Sequence, residues 1–99
     1  MVWYRDLYLS DDLRDQEGVL RDEIERGVCR HRLWAVIVSP NGQDLLEIRR
    51  AASLTRHDPG TMIVGLSSRR EEAAGLVHRI VSDSIRAGKD VDLRGYLDR

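Results

Sequence analysis

The segment Arg32-Leu33-Trp34-Ala35-Val36-Ile37-Val38-Ser39-Pro40-Asn41-Gly42 restricts the possible folds of this chain more than any other. Leu33 to Val38 is an unbroken apolar run, without the alternation of a strand that keeps one face wet. Such a run predicts a strand buried on both faces, in the middle of a sheet. Ser39-Pro40-Asn41-Gly42 is a strong turn signal and ends it.

The rest of the chain is read outward from that strand. Residues 2 to 9 alternate loosely and predict a first strand centred on Leu7 to Leu9. Ser10 followed by Asp11 and Asp12 predicts a serine-capped helix start, because both acids suit the positive end of the helix dipole. That helix runs to about Arg26, with Leu13, Leu20 and Ile24 on one face and Val19 beside them. Glu17 with Arg21, and Asp22 with Arg26, are spaced as i,i+4 pairs, and Gly27 is a natural C′ residue.

QDLLEIRRAASL has two readings. One is a helix capped by Asp44, with Leu45, Ile48 and Ala52 on one face. The other, preferred because Asn-Gly after a strand signals a hairpin, is a strand at Leu45 to Arg49 and a helical turn near Ala51 to Arg56. Thr61 to Leu66 predicts the last strand, and Ser68 opens the last helix, which runs to about Ala87 and is closed by Gly88. Its apolar stripe is Ala73, Leu76, Val77, Ile80, Val81 and Ile85. The tail DVDLRGYLDR carries Val91, Leu93, Tyr96 and Leu97, enough to pack back as a short turn.

The order β-α-β-(β)-α-β-α predicts one α/β domain over residues 1–99. Its sheet is small, mostly parallel or mixed, three- to four-stranded, and flanked by two main helices. So small a sheet has edges to protect, which favours homodimerisation through an edge or a helix face.

The 16 basic residues against 17 acidic ones leave a net charge of -1, which argues against a dedicated nucleic-acid binder. Arginines cluster at Arg26, Arg30 and Arg32, and again at Arg49, Arg50 and Arg56, without aromatic interleaving, so they read as solvated faces. Trp3 and Trp34 read as core or interface. Cys29 is the single cysteine and excludes an intramolecular disulfide. The opening MVWYRDLYLSDD has early charges and no signal-peptide core, and no apolar run approaches the length of a membrane helix. A cytoplasmic protein with no membrane association is expected.

If the strands are parallel, their carboxyl ends gather Ser10, Asn41, Ser67, Ser68, Arg69 and Arg70 at one crevice, where open α/β sheets bind ligands. Gly65-Leu66-Ser67-Ser68-Arg69-Arg70 before a helix has the parts of an anion site: amide donors, hydroxyls and guanidinium groups. The competing reading is structural. Ser68-Arg69-Arg70-Glu71 fits the S-x-x-E capping box, which uses up the same donors, and Glu71 and Glu72 put negative charge where an anion would sit. No nucleotide-binding glycine motif occurs. Cys29-Arg30-His31 lacks the partners a zinc site or a nucleophile pair needs, with His57 and His78 standing alone. No catalytic residue, metal site or cofactor is expected.

The segments LWAVIVSPNGQDLLEI, MIVGLSSRREEAAGLVHRIV and DVDLRGYL, in that order, resemble short uncharacterised bacterial proteins of about this length. The resemblance implies a bacterial, cytoplasmic, stand-alone domain and brings no activity or ligand with it. Together these readings predict a small non-catalytic protein acting by association with itself or a protein partner. The alternative is a domain or enzyme that binds a phosphorylated small molecule at the strand-end crevice.

Overall fold

In the computed structural model, which describes residues 2–28, 32–38, 46–54 and 61–88, the doubly buried strand takes the central place its composition demands. Four strands, β1 (Val2–Leu9), β2 (Trp34–Val38), β3 (Leu46–Arg50) and β4 (Met62–Ser67), form one sheet in the order β1-β4-β2-β3. One helix, α1 (Glu17–Arg26), and a second, α2 (Arg70–Arg86), cover its two faces. Ala35 and Ile37 of β2 join Leu20 and Ile24 of α1 in one core cluster; Val36 and Val38 join Ala73, Leu76 and Ile80 of α2 in the other. The continuous apolar run is thus the seam shared by two cores.

The sheet is mixed rather than mostly parallel. Among the described strands only β1 and β4 pair parallel, while β2 is antiparallel to both β3 and β4. The physical reason is the reversal after β2. Val38 pairs with Leu46, so β3 lies antiparallel beside β2, the pairing of a hairpin rather than of a parallel crossover. The turn residues themselves, Asn41 and Gly42 among them, lie outside the described residues. The strand reading of QDLLEIRRAASL therefore holds, at Leu46–Arg50, and the helical turn that follows is a short 3-10 turn at Ala51–Ser53. Ala51 and Leu54 carry the chain over the α1 face on its way to β4.

β4 contains a bulge. Val36 pairs with Gly65 and Ile37 with Ile63, which leaves Val64 without an opposite number. Val64 packs in the α2-face core, while Ile63 and Leu66 both pack in the α1-face core. The sheet is tight at Gly65: a Cβ there would stand 3.3 Å from both Leu76 Cδ1 and the Tyr8 carbonyl oxygen, so these neighbours would have to give way by a few tenths of an ångström.

Three helix details differ from the sequence reading. Ser10 is followed by a 3-10 helix, Asp11–Gln16, before α1 begins, and its hydroxyl makes no cap bond. Val19 is exposed, not beside the core face. In α2, Ser84 takes the buried position after Ile80, and Ile85 is 53 % exposed. The end of α1 is as expected. Gly27 has φ 71, its N–H donates to the Ile24 carbonyl, and the Val28 N–H donates to the Glu23 carbonyl, the paired bonds of a Schellman motif. The C-terminal tail, Cys29, His31 and His57 lie outside the described residues. Among the described residues no helix is long and apolar enough to cross a membrane.

Candidate functional site

Because β1, β4 and β3 all run the same way, their carboxyl ends reach one end of the sheet together with the start of α2 and of β2. Ser10, Ser67, Ser68, Arg69 and Arg70 all come to that end, as their positions after β1 and β4 require. Asn41 lies outside the described residues.

The hydroxyls there are already committed. Ser10 Oγ donates to Asp12 Oδ1 at 2.7 Å, and the Ser68 hydroxyl also hydrogen-bonds Asp12. The bonds from Ser68 and then Ser10 hold the Asp12 carboxyl below the usual carboxylate range, helped by the positive charge of Arg69. Ser67 Oγ donates to the Arg69 carbonyl at 2.6 Å. The anion at this loop is therefore a side chain of the protein itself.

The capping box is not formed. α2 begins at Arg70, its N-cap is Arg69 in an extended conformation (φ -134, ψ 147), and no side chain caps it. Ser68 sits one residue too early, and a carboxylate offers its hydroxyl a stronger, charge-assisted bond than a helix amide would. Glu71 and Glu72 remain in the first turn, where the helix dipole favours them.

Beside Asp12 a cleft of about 410 Å³ opens between the end of β1 and the first half of α2. Leu9, Gly75 and Leu76 line its apolar part, with Asp11, Asp12 and Glu72 as its carboxylates and Arg79 as its cation. The Arg79 guanidinium lies 5.7 Å from the centre of the Tyr8 ring. Of the described residues expected at a strand-end crevice, Ser10 lines this cleft and Ser67, Ser68, Arg69 and Arg70 do not, and its charge is opposite in sign to what a phosphate needs.

Positive charge gathers at the other side of the same sheet end. The guanidinium groups of Arg50 and Arg70 lie 5.4 Å and 5.9 Å from the centre of the half-buried Trp34 indole. Neither arginine makes an ion pair with a described residue. The aromatic interleaving that the arginine clusters lack in sequence is supplied by folding, which brings positions 34, 50 and 70 together.

The two edges of the sheet differ. Along β1 the pairing with β4 is irregular between Trp3 and Tyr8, and the exposed Arg5 and Asp6 face each other at 3.6 Å within the gap. Charge and irregularity blunt that edge. β3 is regular over its whole length, and no described strand pairs with its outer side. Leu46 and Ile48 pack on the α2-face core, so Glu47 and Arg49 point to the opposite face. There Arg49 Nη2 lies 3.0 Å from Glu47 Oε2.

No protein-family model matches this chain, and neither the curated proteins nor the solved structures hold a significant match.

Proposed function

We propose that this protein is a non-catalytic association module whose partner is a second copy of itself. The observation that carries this reading is the regular outer edge of β3, which no described strand pairs. An open edge presents a row of backbone donors and acceptors that another strand satisfies directly. Sedimentation velocity over the micromolar range should show monomer passing to dimer as concentration rises. A chain that sediments as a monomer throughout overturns the reading.

A second reading has its own observation. Arg50 and Arg70, held on Trp34 and without an ion pair among the described residues, offer two guanidinium forks to an anion such as a phosphorylated small molecule. On this reading the anion would bind on the Trp34 side of the sheet end rather than at Ser67 and Ser68. Inorganic phosphate and nucleoside phosphates should then raise the melting temperature, with about 2.7 kcal/mol of added stability at 100 times Kd. Arg50→Ala and Arg70→Ala should each abolish the shift. Absence of a shift with every anion removes this reading.

A further inference from the structure

We propose that the two copies pair antiparallel through β3 in one specific register, with Ile48 opposite Ile48 of the second copy on the two-fold axis. This inference rests on the self-association reading and names its interface.

The backbone decides which residues can pair. The Ala51 N–H donates to the Leu33 carbonyl at 2.9 Å, so at Ala51 the strand direction turns its amide toward β2. Backbone groups alternate along a strand in an antiparallel ladder. Arg49 and Glu47 therefore also bond inward, and Leu46, Ile48 and Arg50 direct their N–H and C=O groups to the outer edge, which no described strand covers. The Arg50 carbonyl there also accepts from Ser53 Oγ at 2.7 Å and keeps its second lone pair for a partner strand. A second β3 must oppose outward residues to outward residues. Registers that differ by one residue are excluded, because they would set an outward group against an inward one.

The side chains then choose among the registers that remain. With Ile48 on the axis, Leu46 faces Arg50 of the second copy in a hydrogen-bonded pair, and Glu47 faces its Arg49 in the closer non-hydrogen-bonded pair. Opposite charges directly across a ladder attract. Sliding by two residues one way sets Glu47 against Glu47; sliding the other way sets Arg49 against Arg49. Both alternatives bring like charges together, which is destabilising. The same register aligns Leu46 and Ile48 of both copies in one apolar row on the α2 face, where they are half-buried in the single chain. The strand is thus self-complementary, as a two-fold interface requires.

Two variants and their mixture test this by sedimentation velocity, with circular dichroism to check that each is folded. Glu47→Arg leaves arginine at both 47 and 49; Arg49→Glu leaves glutamate at both. Each alone should sediment as a monomer at concentrations where the unaltered protein is a dimer. Mixed in equal amounts they should form a heterodimer, because every 47–49 pair across the axis then joins opposite charges. Variants that each dimerise as well as the unaltered protein overturn the β3 register while leaving self-association standing. A mixture that stays monomeric while the unaltered protein dimerises also overturns it. An unaltered protein that is monomeric overturns both readings together.

Discussion

Replacing Ile63 with alanine will lower the stability of the fold by about 2–5 kcal/mol, measured as a fall in the urea midpoint at unchanged m. Ile63 is fully buried in β4. Like Met62, Gly65 and Leu66, it has a partner in both neighbouring strands, Trp3 of β1 on one side and Ile37 of β2 on the other. The loss has two parts: the transfer energy of the deleted carbons, and the cavity left among neighbours held by the sheet ladder. A domain of this size has a total stability of about 5–15 kcal/mol, so the change consumes a large share of it. Each kcal/mol should lower the melting temperature by about 4–8 °C. The matched control is Ile85→Ala, at an exposed site of α2, which should change stability by less than about 0.5 kcal/mol. Equal losses at the two sites would mean that β4 is not the centre of the core.

How much of this was legible in sequence depends on the reach of each signal. The Leu33 to Val38 run reports local composition, and it correctly demands two covered faces. The Asn-Gly signal and the glycine after α1 are local too, and the antiparallel β2–β3 pairing and the Schellman motif agree with them. Strand order is not local. β4 inserts between β1 and β2 because its own run, Ile63 to Leu66, is as apolar as that of β2 and needs the same double cover. Nothing near either strand encodes that choice. The helix stripe includes Ile85 where the structure buries the neighbouring Ser84, because a stripe traced through apolar residues passes over a serine.

The candidate site shows the same division. Ser10, Ser67, Ser68, Arg69 and Arg70 follow directly on β1 and β4 in sequence, and they lie at that end of the sheet. What each one bonds to was hidden, because the partner of Ser68 is Asp12, more than fifty residues away in sequence. A capping box and a charge-assisted bond compete for one hydroxyl, and the winner depends on a tertiary contact. The grouping of Trp34 with Arg50 and Arg70 was equally beyond reach; the sole trace of it was the recurrence of paired arginines at 49–50 and 69–70. The edge of β3 lies between these cases. Its charges are plain in LEIRR, but which of them face a second strand follows only from the direction of the Ala51 amide.

Tyr4→Phe is expected to stabilise the protein, while Tyr8→Phe should destabilise it by about 1.5–3 kcal/mol. The two rings stack on the α2 face of β1, their centres 6.3 Å apart and their planes within 10°. Their hydroxyls have opposite fortunes. Tyr8 Oη donates to Asp83 Oδ2 at 2.6 Å, a bond to a charged acceptor that phenylalanine forfeits. Tyr4 is 3 % exposed, and its buried hydroxyl has no hydrogen-bond partner among the described residues. An unsatisfied buried hydroxyl carries a desolvation cost of about 1–3 kcal/mol, and Phe removes that cost while keeping the ring and its packing. Urea melts of the two variants, run beside the unaltered protein, should therefore move in opposite directions. A loss of stability in Tyr4→Phe would mean that the hydroxyl is satisfied in solution by a group beyond those described, a bound water or a second chain. Repeating the melt at high and low protein concentration separates the two, since a partner chain makes the loss grow with concentration and a water does not.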